Sequence, residues 1–214
     1  MTSKDHLGES PRAGPDAPSL SAQESYSHTI AVLQAARCVH RLLTRERDVQ
    51  RLLERTCACL ASPRSGYVAA WIGLRHGDRT LCAAAGFRKD AFAPLEARLI
   101  AGDYPPCASQ ALEHGAVFIS RDPGACDCPL AERYRGHAAI AAPLGGLDGE
   151  PKGVLCAALP ERVLDGPGEA AVFAELAEDV AFALANLEHE EALAGERQRL
   201  EEQVRQTEKM EALG

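Results

Sequence analysis

Apolar positions along this chain recur at two periods, and the change of period marks out its elements. Across residues 28–44, Val32, Ala35, Val39, Leu42 and Leu43 return every three or four residues while Arg41 and Arg45 fall off the stripe, which predicts an amphipathic helix. Asp48 stands where an N-cap belongs, ahead of a second helical series of Val49, Leu52, Leu53, Thr56, Cys57 and Leu60. Pro63, Ser65 and Gly66 close that series. Residues 67–74 then form a nearly continuous apolar run, and His76, Gly77 and Asp78 supply a turn into a second strand over 80–85. Residues 90–100 read as a helix despite Pro94, and 107–113 as another ended by Gly115. A strand is predicted over 116–119, a break at Asp122, Pro123 and Gly124, and two strands over 138–144 and 153–159 around a turn at Gly145, Gly146 and Gly149.

Beyond Pro167 the chain has no proline and is helical in pattern to its end. Val172, Leu176, Val180, Ala183, Leu184 and Leu187 give a wide stripe suited to packing on a sheet. The sparser Leu193, Leu200 and Val204 give a narrow one suited to a two-stranded coiled coil. Gly195 is the weak point, costing roughly 1 kcal/mol relative to alanine. Residues 1–24, rich in Ser, Pro, Gly and Asp, show no apolar period and read as a disordered tail. Residues 25–188 read as one globular domain and 189–214 as a coiled-coil connector.

A formal charge of -8 argues against a nucleic-acid partner, because binding a phosphate backbone requires a basic face. No apolar run approaches the ~20 residues that cross a bilayer, and no apolar signal core follows the first residues, so a cytoplasmic location without a membrane partner is expected. Eight cysteines in such a chain are read as reduced thiols, metal ligands or redox groups rather than a disulfide framework. Cys38, Cys57 and Cys59 read as small buried hydrophobes, and Cys82 and Cys156 as strand residues that reach a site only if they face inward. No phosphate loop, Ser-His-Asp arrangement or HExxH zinc motif is present, so no catalytic residue is assigned.

The order of elements, two helices, a hairpin, an irregular middle, a strand, a strand pair and a long exit helix, resembles the GAF domains of bacterial and archaeal sensor kinases. Ala70-Trp71-Ile72-Gly73 is similar to their first strand, and Ala111-Leu112-Glu113-His114-Gly115-Ala116-Val117 to their helix-to-strand step. Ala142-Pro143-Leu144 with Gly153-Val154-Leu155 resembles their strand pair, and residues 176–184 their closing helix. Residues 200–214, ending Glu208-Lys209-Met210-Glu211-Ala212-Leu213-Gly214, resemble the connector that enters the dimerisation and phosphoacceptor domain of sensor histidine kinases. The resemblance implies a GAF fold (α+β, a central antiparallel sheet flanked by helices) with a long C-terminal signalling helix. It also implies the sensory input module of a two-component histidine kinase. That module would pair as a homodimer through the C-terminal helix and act on a response regulator through kinase domains beyond the last residue.

Cys126-Asp127-Cys128-Pro129-Leu130, with Tyr134 close behind, resembles a subgroup of kinase GAF domains carrying paired cysteines just before Pro-Leu; there two residues separate the cysteines, and here only Asp127 does. Thiolates suit iron, zinc or copper(I), and Cys107 opens a predicted helix whose dipole favours thiolate. Cys107, Cys126 and Cys128 are therefore the candidate ligands of a metal, a haem or another iron-containing thiolate centre, with burial as small hydrophobes the competing reading. Trp71, Tyr134 and His137 are the candidate ligand- or cofactor-binding residues, with strand packing the alternative for Trp71 and a solvent-facing role for His137. Two other functions stay open. One is a free methionine sulfoxide reductase of the same fold using Cys107 or Cys126 as nucleophile; the other is a ligand-free dimerisation module.

Overall fold

A computed structural model describes residues 22–145, 150–161 and 168–211. The expected tail lies outside them apart from its last three residues, which begin the first helix, and so do Gly146, Gly149 and Pro167. Helices α1 (Ala22–Leu43) and α2 (Val49–Leu60) come first, followed by the hairpin β1 (Ala69–His76) and β2 (Arg79–Ala85). Then come α3 (Lys89–Ile100), α4 (Pro106–His114), the short strand β3 (Phe118–Ser120) and two 3₁₀ turns, Pro123–Ala125 and Ala131–Tyr134. Strands β4 (His137–Gly145) and β5 (Pro151–Pro160) and the 43-residue helix α5 (Glu169–Glu211) complete the order.

The strands form one antiparallel sheet in the order β2-β1-β5-β4-β3, so β5 lies at its centre although it is the last strand in sequence. Side chains alternate between the two faces along each strand. Ala70, Ile72 and Leu74 of β1 with Leu155, Ala157 and Leu159 of β5 enter the core that also holds α1, α2 and the first half of α5. Ala69 and Trp71 of β1 with Val154, Cys156 and Ala158 of β5 enter a second core covered by α3, α4 and the segment around Leu130 and Tyr134.

Local signals explain most boundaries. The Asp48 side chain accepts the Arg51 amide at 2.8 Å and starts α2, and Gly115, at φ 61°, ends α4 in the left-handed conformation an L-residue adopts at a cost. Gly153 is required for a different reason: a Cβ there would sit 2.5 Å from the Gly73 carbonyl oxygen and 2.9 Å from the Leu74 Cα. Helix α5 runs through Gly195 without interruption. Its first turn is tied down by Glu169, which accepts from the Tyr67 hydroxyl at 2.7 Å and lies 3.0 Å from His28 of α1.

One pair of cysteines departs from the expectation of reduced thiols, and six remain free. Cys38 is exposed on α1 and joined by a disulfide to Cys59 of α2, linking two helices that pack side by side. Cys57, two residues from Cys59, is fully buried with a free thiol, as expected of a small buried hydrophobe, whereas Cys59 is buried as half of the disulfide. A spacing of two on a helix sends neighbouring side chains to different faces, and the second face of α2 meets α1.

Candidate functional site

The second core gathers the chemistry-bearing residues. Trp71 points from β1 into it, 1% exposed, and its indole Nε1–H donates to the Tyr134 hydroxyl at 3.0 Å. Tyr134 closes the second 3₁₀ turn and is itself buried, with its ring edge-on to Phe87 at 6.2 Å. Burial holds its hydroxyl protonated far above the usual tyrosine range. Trp71 and Tyr134 thus fill the interior of this face together with Leu95, Leu99 and Leu130. His137 stands apart at the start of β4, its Nδ1 3.0 Å from the Arg135 carbonyl oxygen.

Four thiols belong to this region. Cys107 is the second residue of α4, after Pro106, and 7% exposed; Cys156 is buried at the centre of β5. Donation from Cys156 holds the Cys107 pKa below the ordinary thiol value, against the opposing effect of burial and with help from the amides at the helix start. Burial pushes Cys156 well up, and the neighbouring Cys107 pushes the same way.

Cys128 is half-buried against the same core; burial pushes it up to about 11, and the Leu130 amide donates to its sulfur at 3.4 Å. Cys82, at the edge of the cluster on β2, is likewise pushed up to about 11 by burial, with Glu96 adding to the effect. Cys126, also half-buried, lies in the loop whose position is fixed by Arg98 of α3. Its guanidinium donates to the Asp127 carbonyl oxygen at 2.9 Å and pairs with Asp103 at 2.6 Å.

The structure brings Cys107 and Cys128 to one side of the sheet, where Cys156 of β5 is also buried. Among the described residues no three His, Cys, Asp or Glu side chains come together to hold a metal ion. Cys126 lies out in the loop and large side chains occupy the interior, so the residues present do not fit a thiolate-held metal or a haem. Strand parity carried the missing signal: with Val154 and Ala158 facing this core, Cys156 had to face it too. The sequence could not show how α4 is rotated onto that strand.

Larger clefts lie elsewhere. One of about 860 Å³, polar, opens between the β1–β2 turn and α5, where His76 lies 3.4 Å from both Glu188 and Glu191 and Lys152 pairs with Glu188 at 2.8 Å. A shallow apolar one of about 510 Å³ runs along α5 between Leu193 and Val204. No helix among the described residues is long and apolar enough to cross a membrane.

Comparison with known proteins places this geometry. The family model described as GAF domain matches residues 46–185. No curated protein matches the chain. Among solved structures, the GAF domain of a phosphoenolpyruvate-protein phosphotransferase (ptsP) from Coxiella burnetii is similar at a TM-score of 0.57 and 14% identity, over 78% of this chain and 99% of that one. The free methionine-R-sulfoxide reductase of Neisseria meningitidis, in complex with its substrate, is similar at 0.53 and 17%, over 82% and 98%. The GAF domain of A. aeolicus nlh2 in an inactive state is similar at 0.51 and 14%, over 74% and 96%. At these identities the likeness is one of fold.

Proposed function

We propose that this chain, which belongs to the GAF domain family, is the sensory input module of a histidine kinase and passes the state of its second core to a paired C-terminal helix. One observation carries the reading: α5 is a single helix with two different surfaces. From Phe173 to Leu187 it is built into the sheet's first core, and past that point it leaves the domain. There it presents Leu193, Leu200 and Val204, 52%, 55% and 57% exposed, in a row that begins with Phe182 at 68%. A helix alone in water has no reason to place these side chains along one side. A second copy of the same helix covers them. A change in the second core that alters the packing of β5 then shifts the population of helix arrangements. The resemblance of residues 200–214 to a kinase connector supports a phosphoacceptor domain as what the helix feeds.

Sedimentation velocity tests the relay. The chain is expected to sediment as a dimer at micromolar concentration, and Leu193→Glu with Leu200→Glu as a monomer with an unchanged urea midpoint. A parent chain that sediments like the double variant overturns the reading.

The lowered pKa of Cys107 favours a second reading, a sulfoxide reductase in which the Cys107 thiolate attacks the sulfoxide sulfur and an external thiol restores the enzyme. The filled interior around Trp71 and Tyr134 counts against it. Turnover of free methionine sulfoxide with a thiol reductant, abolished in Cys107→Ser, would replace the sensor reading with this one.

A further inference from the structure

We propose that the cleft between α1 and α2 takes up an anionic low-molecular-weight thiol, which exchanges with the Cys38–Cys59 disulfide at the Cys38 sulfur. The site lies across the sheet from Trp71 and Tyr134 and stands apart from the sensory reading. Three features of the structure carry it.

The first is charge. The cleft, of about 470 Å³, is lined by Arg37, Arg41 and Arg45 from α1 and the turn after it, by Arg55 from α2, and by Cys38. Among the described residues no carboxylate lines it, in a chain whose formal charge is -8. Arg55 pairs with Glu46 at 3.2 Å, whereas Arg37, Arg41 and Arg45 pair with no carboxylate among the described residues. The latter three follow one another at a spacing of four, so like charges stand one turn apart, an arrangement that destabilises a helix. The dipole at the end of α1 favours cations at Arg41 and Arg45, but it does not reach Arg37 or draw in Arg55 from the middle of α2. An anion seated among the four guanidinium groups satisfies them all.

The second is access. Cys38 is exposed and lines the cleft, whereas Cys59 is 8% exposed, so a thiol that enters meets the Cys38 sulfur first. The volume is that of a small-molecule site. The third is the leaving group. Arg55 precedes Cys59 by four residues on α2, which places the two one turn apart on the same side of the helix, and its positive charge favours the thiolate that Cys59 becomes.

The exchange balances in two steps. The incoming thiolate attacks the Cys38 sulfur, a mixed disulfide forms there, and the bond to Cys59 breaks with its electron pair on the Cys59 sulfur, which takes up the proton the thiol had released. A second thiolate attacks the outer sulfur of the mixed disulfide and frees Cys38, which takes the second proton. Two electrons have then passed to the protein, two cysteine thiols stand where the disulfide was, and the small molecule leaves as its own disulfide. The same steps in reverse close the bond.

The test uses the full chain with Cys38–Cys59 oxidised. Mercaptopropionate, mercaptoethanol and cysteamine serve as anionic, neutral and cationic reductants, and after acid quenching and alkylation the state of Cys38 and Cys59 is read by mass spectrometry, each rate being expressed per thiolate present. At low salt mercaptopropionate is expected to react about tenfold faster than cysteamine, with mercaptoethanol between them and the spread narrowing as salt is raised. The first adduct is expected on Cys38. Arg37→Glu with Arg41→Glu should invert the order, and Arg37→Gln with Arg41→Gln, which adds no new charge, should flatten it while circular dichroism matches the parent. Equal rates for the three thiols, an order that survives in the folded glutamine variant, or a first adduct on Cys59 would each overturn the proposal.

Discussion

Replacing Tyr134 by Phe removes one oxygen atom and leaves a buried donor without an acceptor. In the native chain the Trp71 indole N–H reaches the Tyr134 hydroxyl at 3.0 Å, and the indole is 1% exposed. Water cannot take the place of the lost oxygen without opening the core between β1 and the second 3₁₀ turn. A neutral hydrogen bond contributes about 1 kcal/mol net, but a buried donor stranded by losing its partner costs about 1–3 kcal/mol. The ring of Tyr134 keeps its contact with Phe87, so the packing contribution of the aromatic is retained. A loss of about 2 kcal/mol is expected, which for a domain of this size lowers Tm by about 4–8 °C.

Trp71 is the only tryptophan, so its fluorescence follows urea unfolding from the site itself while far-UV circular dichroism follows the whole fold. Completing the cycle with Trp71→Phe and the double variant, read by circular dichroism, isolates the pair, and a coupling of about 1–2 kcal/mol is expected. If Tyr134→Phe unfolds within about 0.5 kcal/mol of the parent and the cycle shows no coupling, the reasoning that this bond closes the second core is refuted.

Alkaline pH and two glycines probe other parts of the fold. Burial raises Cys82 and Cys128 to about 11, so between about pH 9 and 11 the unfolded chain ionises these thiols while the folded chain does not. Stability present below pH 9 is therefore lost as pH rises, and the urea midpoint, measured under argon, should fall over that window and fall less in Cys82→Ala with Cys128→Ala; a midpoint flat to pH 11 contradicts the assigned burial. Gly153→Ala should lose about 1–3 kcal/mol by thermal unfolding, because its methyl group meets the β1 backbone, whereas Gly195→Ala, in open space on α5, should gain roughly 1 kcal/mol of local helix stability, read as slower amide exchange around it. Equal effects at the two sites would show that the close approach of β5 to β1 is not what Gly153 provides.

Much of this architecture was legible before any coordinates because it is written in local signals. Asp48 marks the start of α2, Gly115 the end of α4, and the proline-free stretch after Pro167 a helix that Gly195 does not break. The domain's wide apolar stripe, Leu176 to Leu187, is buried as its spacing predicts. What escaped the sequence depends on contacts between distant elements. The Cys38–Cys59 bond needs α1 and α2 brought side by side, and no periodicity fixes that. Trp71 and Tyr134 were both singled out as ligand-binding residues, but their bond spans 63 positions, and only the fold shows that they occupy the interior together. Cys126 draws attention because it sits in a motif, whereas the depth of Cys156 at the centre of the sheet is set by strand order.

The tether at the start of α5 has a mechanical consequence. Glu169 pins the first turn to Tyr67 and His28, and the core holds the helix as far as Leu187, so motion of the sheet can act on the remainder only as rotation about that last buried point. From Leu187 to the backbone at Glu211 the moment arm is about 36 Å at 1.5 Å per residue, and a tilt of about 5° sweeps its end through about 3 Å. A displacement of that size is more than half the pitch of a helical turn, enough to change which side chains face one another across a seam, and with the helix moving as one rod it corresponds to about 1.8 Å at Phe173, about 21 Å on the other side of that point. The fold is thus geared: small at the sheet, large at the tip.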